Sequence, residues 1–399
     1  MPGMEWLELA VRWLHVIAGI AWIGTSFYFI RLNAVLAPPD ERTEGVEGEA
    51  WEVHGGGFYR VAKYWVTPGK MPRELHWFKW EAYTAWLSGA SLLVLVYYLG
   101  ANTYLLDRGV ADIGAGTGIA VGVGSIVAAW LLYEALCRSP LIDRPALFAV
   151  VGVALATGAA WALSEWLSGR AAYMHVGAAV GTIMAANVFL VIIPAHRNLV
   201  AAIEAGREPD ASRGKSAARR SLHNNYLTLP VVFVMISNHY PITYSNPHGW
   251  LILGALGLIG GWIRHYYNLR HAGRDRPWML AAAAVGFVGV ALLATAGAPG
   301  PPAAGADDAP VEFAEVRDVF AVRCAVCHSA HPAHELFDAP PGGIAFDTEE
   351  EIRARADRIY AVTIETRVMP LGNLTDMTEE ERALVGRWAQ RTRQAAGPQ

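Results

Sequence analysis

The stretch His223-Asn-Asn-Tyr-Leu-Thr-Leu-Pro-Val-Val-Phe-Val-Met-Ile-Ser-Asn-His-Tyr-Pro241 has an apolar middle between two polar ends. Leu227 to Ile236 suits the hydrocarbon of a bilayer, whereas the flanking His, Asn, Tyr and Ser side chains are costly there and mark a function when they occur. His223 and His239 lie sixteen residues apart, roughly 24 Å along an ideal helix. They cannot serve one small ligand unless Pro230 breaks the helix. The stretch therefore reads as a membrane helix with a separate candidate site at each end.

The rest of the chain agrees with a membrane setting. Of 399 residues, 53% are hydrophobic and only 17% charged, against about a quarter charged in a soluble protein. Fifteen Trp and fifteen Tyr suit aromatic belts at two interfaces. A net charge of −4 with no basic patch argues against nucleic acid as a partner. Apolar runs near the length of a membrane span fall at 9–30, 80–99, 118–137, 146–166, 171–194, 224–241, 249–269 and 278–296. The first follows only a few residues and lacks a small-residue cleavage site, so it reads as a retained signal anchor.

The loops after spans 1, 3, 5 and 7 carry 19 Lys and Arg, and those after spans 2, 4 and 6 only Arg108 and Arg170. That asymmetry predicts the first set in the cytoplasm and both termini outside, in an inner (cytoplasmic) membrane. The fold class expected is all-α, a polytopic bundle of about eight transmembrane helices over 1–297, followed by a small soluble helical domain. A Pro/Gly/Ala linker at 298–310 joins the two, and Thr348/Glu351 and Thr378/Glu381 form capping-box patterns within 311–399.

That tail contains Cys324-Ala-Val-Cys-His328, the pattern of covalent c-type haem attachment. Cys324 and Cys327 would form the thioethers and His328 the proximal iron ligand. Met369, in Val-Met-Pro-Leu-Gly-Asn, is the expected distal ligand, with Met377 as the alternative. A redox dithiol or half a zinc site would be the other readings, but no second C-x-x-C occurs. The tail resembles a class I-type monohaem cytochrome c, its N-terminal helix near 311–325 crossing a C-terminal helix near 379–394. Cys137 reads as a small buried residue.

Ionisable and amide side chains within the spans fall in two layers. The inner layer holds His76, Glu81, Glu134, Asn187, His223, Asn224, Asn225, Arg264 and His265. Arg264 can hold an anion, the Asn amides can match a heterocycle edge, and a His or Glu can move a proton. Alternatively, Glu81 and Glu134 pair with Lys79, Arg138 or Arg264 and only brace the bundle. The outer layer, His15, His175 and His239, offers imidazoles for a haem b between helices, or histidines satisfied by backbone carbonyls. Gly177/Gly181 and Gly257/Gly261 read as small-residue packing pairs, and HGGGFY (54–59) as a tight cytoplasmic loop.

Several stretches carry a family resemblance: Arg12-Trp-Leu-His15 with Ile20-Ala-Trp-Ile-Gly24, HGGGFY (54–59), LHWFKWEAYTAWLSG (75–89), NVFLVIIP (187–194), RRSLHNNYLTLPVVFVMISNHYP (219–241) and VMPLGNLTDMTEEER (368–382). They resemble the membrane-bound urate hydroxylase (urate oxidase) family, in which an eight-helix membrane domain is fused to a C-terminal cytochrome c. The resemblance implies oxidation of urate to 5-hydroxyisourate without peroxide, with electrons leaving through haem c to a soluble cytochrome c or terminal oxidase. Composition and spacing alone reach only a membrane-anchored cytochrome c, an electron-transfer module fed by quinol or a haem b.

Overall fold

The computed structural model describes residues 2–39, 45–64, 72, 74–296, 311–335 and 337–396; the expected linker at 298–310 lies outside them. The chain is mostly helical. In order come α1 (Pro2–Val35), an antiparallel hairpin of β1 (Val46–His54) and β2 (Gly57–Tyr64), and α2 (Trp80–Leu92), extended by a π-helical stretch over Leu93–Tyr98. Next are α3 (Ala115–Arg138), α4 (Pro145–Ser164) and α5 (Gly169–Ala186), which runs through a π-helical stretch into α6 (Ile193–Glu204). Then follow α7 (Ala211–Ser237), the short α8 (Pro241–Tyr244), α9 (Gly249–His271) and α10 (Trp278–Ala296).

Among the described residues, five helical segments are long and apolar enough to cross a membrane: Gly3–Val35, Ala115–Arg138, Pro145–Ser164, Gly169–Glu204 and Trp278–Ala296. The fourth is half buried inside the protein while the others are 6–17% buried, so α5–α6 is the central pillar and the other four face outward. Between residues 2 and 296, α2, α7 and α9 depart from plain apolarity for visible reasons. A π-helical stretch interrupts α2, basic sequence opens α7, and Arg264-His265 interrupts the last turns of α9. These three also carry most of the inner-layer polar side chains.

Close approach is made by glycines. A Cβ on Gly177 would sit 2.5 Å from Val234 Cγ1, and one on Gly254 2.3 Å from Thr157 Oγ1. Of the expected small-residue pairs, only Gly177 meets a neighbour; Gly181, Gly257 and Gly261 have open space. α7 continues through Pro230. Gly260 of α9 approaches the Pro230 backbone, where a side chain would meet its nitrogen at 3.2 Å.

The hairpin corrects the all-α expectation and the reading of HGGGFY as a loop. Gly55 and Gly56 both take positive φ, 57° and 81°, as a two-residue type I′ turn requires, and Val53 pairs with Phe58 across it.

The tail is a separate helical cluster of α11 (Phe313–Val319), α12 (Glu349–Arg353), α13 (Ala356–Tyr360) and α14 (Glu379–Ala396). Phe320, Val316, Val385 and Trp388 are fully buried where α11 meets α14. Both capping boxes form: Glu351 N and Thr348 Oγ1 meet at 3.3 Å, Glu381 N and Thr378 Oγ1 at 3.2 Å, and each Glu carboxylate reaches back to the Thr amide. The tail rests on the turn after α2. Gly372, at φ 55°, packs so closely that a Cβ there would lie 3.1 Å from Leu106 O, and Arg108 bonds Asp376 at 3.1 Å.

Candidate functional site

Where α3, the α5–α6 pillar and α7 meet, six polar side chains close on one another. Arg220 bonds Glu134 Oε2 at 2.7 Å and Asn187 Oδ1 at 3.1 Å. Asn187 Nδ2 donates to Tyr133 Oη and to Asn224 Oδ1, both at 2.9 Å. Asn224 Nδ2 donates to Met184 O, and Tyr133 Oη meets His223 Nδ1 at 2.9 Å. Every strong donor finds an acceptor and the one buried cation has its carboxylate. This network braces the bundle, as one of the two sequence readings of Glu134 had it; Arg138 is one of the partners expected there, and Arg220, not expected, is the other.

The junction of α1, α7 and α9 differs. Arg264 is 3% exposed, and no carboxylate pairs with it among the described residues. Its guanidinium lies over the Phe27 ring, 3.9 Å from the centroid. Arg264 Nε donates to Asn225 Oδ1 at 2.9 Å, and Asn268 Nδ2 donates to the same oxygen at 3.1 Å. Arginine has only donors, so Asn225 must present its oxygen to Arg264. Asn268 must then turn its nitrogen to that oxygen and its own oxygen away. Three buried atoms are left without hydrogen-bond partners: Arg264 Nη2, Asn268 Oδ1 and His271 Nδ1. Residues 264, 268 and 271 lie at i, i+4 and i+7, on one helix face. A buried cation without a counter-charge costs several kcal/mol, and the unpaired Asn268 oxygen beside it suits an anion that also carries N–H groups.

The other inner-layer candidates do not join this set of hydrogen bonds among the described residues. His265 Nδ1 meets Tyr226 Oη at 2.7 Å. His76 is exposed, its ring edge-on to Phe78. Glu81 keeps one buried oxygen, Oε2, without a partner. Sequence reading found Asn225 and Arg264 but missed Ser26, Phe27, Asn268 and His271. Ser26 Oγ accepts from Asn225 Nδ2 at 3.4 Å.

The outer-layer histidines are not brought together. His15 Nδ1 donates to Ala85 O at 2.9 Å, and its ring packs on Gly89. His175, fully buried, donates from Nδ1 to Ala171 O at 2.8 Å and accepts from Tyr98 Oη at Nε2, at 3.2 Å. Both its ring nitrogens are engaged. Nine residues of helix, roughly 13 Å, separate Gly89 from Tyr98. His239 is exposed. These residues do not fit a haem b held between His15 and His175.

In the tail, Cys324, Cys327 and His328 lie on the turn after α11, both cysteines unpaired. His328 Nδ1 donates to Ile344 O at 3.0 Å, which leaves Nε2 without a proton and able to bind a metal. Burial pushes the Cys324 thiol up to about 12, the opposite of the lowered value a redox dithiol needs. Arg382 Nη1 bonds Met369 O at 2.9 Å, fixing that segment. Met369 is partly exposed, whereas Met377 is 4% exposed within the tail's core. Trp388 Nε1 and Arg382 Nε are buried without hydrogen-bond acceptors. Free thiols, an oriented imidazole, a partly exposed thioether and two orphan donors fit a haem with its carboxylates.

No curated protein and no solved structure matches the chain. Residues 2–295, from α1 through α10, match the family described as urate oxidase N-terminal. With that match spanning most of its length, the chain belongs to the urate oxidase N-terminal family.

Proposed function

We propose that the protein is a membrane-bound enzyme that oxidises urate to 5-hydroxyisourate and passes the electrons to a haem c on its own tail. In this reading α2, α7 and α9 also cross the bilayer, giving eight spans, and both termini lie outside the cytoplasm. Residues 311–399 form a class I-type cytochrome c in the periplasm, with Cys324 and Cys327 as attachment points and His328 and Met369 as axial ligands. The observation that carries it is the joining, in one chain, of a urate oxidase family match to a tail whose residues fit haem c.

Urate is a monoanion near neutral pH. Its conversion to 5-hydroxyisourate consumes one water and releases two electrons and two protons, so an electron acceptor is required. Covalently bound haem c supplies one-electron acceptance, and a soluble cytochrome c or a terminal oxidase then takes the electrons onward. The protein's own part is to hold the anion away from bulk water, receive its protons and seat the tail against the turn after α2. The family match and the apolar helices support urate and the membrane; the tail geometry supports the acceptor.

Anaerobic addition of urate to the purified, haem-loaded protein tests this. The reduced α-band should rise, with two haems reduced per urate consumed. Reduction by quinol and none by urate would make the protein an electron-transfer module instead.

A further inference from the structure

We propose that the purine anion binds at the α1–α7–α9 junction, held by Arg264, Asn268 and His271 and positioned by Asn225; this rests on the urate reading above. Arg264 Nη2 is the buried donor with charge to give. Asn268 Oδ1 is a buried acceptor with nothing to accept, and His271 Nδ1 is a buried ring nitrogen with no partner. Urate monoanion offers the complement, oxygens with negative charge beside ring N–H groups. Arg264 and His271 are seven residues apart, about 10 Å along the helix, a span that suits a bicyclic purine with its exocyclic oxygens.

The local charge favours an anion. His271 lies within electrostatic reach of Arg264, Arg31 and Arg270, and of these Arg31 is paired with Glu52. The Asn187–Arg220 network, by contrast, has Arg220 satisfied by Glu134 and Asn187. It has no charge left to give. Asn225 acts through its neighbours: by accepting from both Arg264 and Asn268 it turns Nη2 and Oδ1 toward the ligand. The specificity that follows is for a planar anion with N–H donors. A planar anion without them leaves Asn268 and His271 unpaired, at a cost that burial makes large.

The test is equilibrium dialysis of radiolabelled urate against the full chain with its haem pre-reduced, so that binding is read without turnover. Arg264→Gln should weaken binding by roughly 30-fold or more. Asn268→Asp, nearly isosteric, should weaken it by about tenfold or more, because it sets a carboxylate against the anion. Benzoate, planar and anionic but without N–H groups, should compete at least about tenfold less well than urate. If Arg264→Gln fails to fold, Asn268→Asp and the benzoate competition carry the test. Wild-type affinity in folded Asn268→Asp or Arg264→Gln, or benzoate competing as well as urate, would overturn the site. Absence of urate binding to the wild-type protein would overturn the urate reading itself.

Discussion

Arg220 and Glu134 meet at 2.7 Å between α7 and α3, with 7% and 19% of their side chains exposed. Arg264, on α9, is as deeply buried and has no such partner among the described residues. Glu134→Gln should therefore create in the first place the imbalance that exists in the second. Removing one partner of a buried pair costs about 3–5 kcal/mol. The variant should melt well below wild type in detergent, while the molecules that remain folded bind urate with unchanged affinity.

His175 lies under Gly122. A Cβ on Gly122 would stand 2.4 Å from His175 Nε2, the nitrogen that accepts from Tyr98. Gly122→Ala should cost about 1–3 kcal/mol by overpacking. Gly124→Ala on the same helix meets open space and should be neutral or slightly stabilising. Paired thermal melts of the two variants check this directly.

The tail's seat on the membrane domain depends on backbone fit. Gly372 combines φ 55° with Leu106 O at 3.1 Å from a prospective Cβ, so Gly372→Ala is strained and has no room. It should slow reduction of the haem by urate while leaving urate binding and haem incorporation as they are. Arg108→Ala should do little, because that ion pair is 58% and 64% exposed and such pairs contribute little. Stopped-flow reduction of the two variants separates the contributions.

How far the sequence could be read shows in two adjacent residues. The apolar runs fell on α1, α2, α3, α4, α5, α7, α9 and α10, and intramembrane polarity singled out Asn224, Asn225 and Arg264. What the runs could not show was that Asn224 and Asn225, one residue and about 100° apart on a helix, belong to different networks. Asn224 joins Asn187 and the bracing set, whereas Asn225 joins Arg264 and Asn268. Asn268 and His271 were overlooked because they sit at and beyond the end of the apolar run, although their i+4 and i+7 spacing from Arg264 was a usable signal. The hairpin was missed for a similar reason. A search for apolar length passes over Gly55-Gly56 between two short strands, which turn chemistry marks.

The two tail methionines should respond differently. Met369→Ala should lower the haem potential, since a thioether ligand raises it, and leave urate binding intact. Met377→Ala should instead destabilise the tail, because Met377 is 4% exposed in its core. Redox titration and thermal melting of both variants distinguish a ligand from a packing residue.

In the proposed eight-span topology Arg264 and Asn268 lie near the cytoplasmic face and the tail lies outside, so urate should enter from the cytoplasmic side and its electrons leave on the other. Sealed membrane vesicles of both orientations, given external urate without oxygen, test it most directly. Haem reduction should be immediate in everted vesicles and should follow in right-side-out vesicles only after permeabilisation. Equally fast reduction in intact right-side-out vesicles would contradict it.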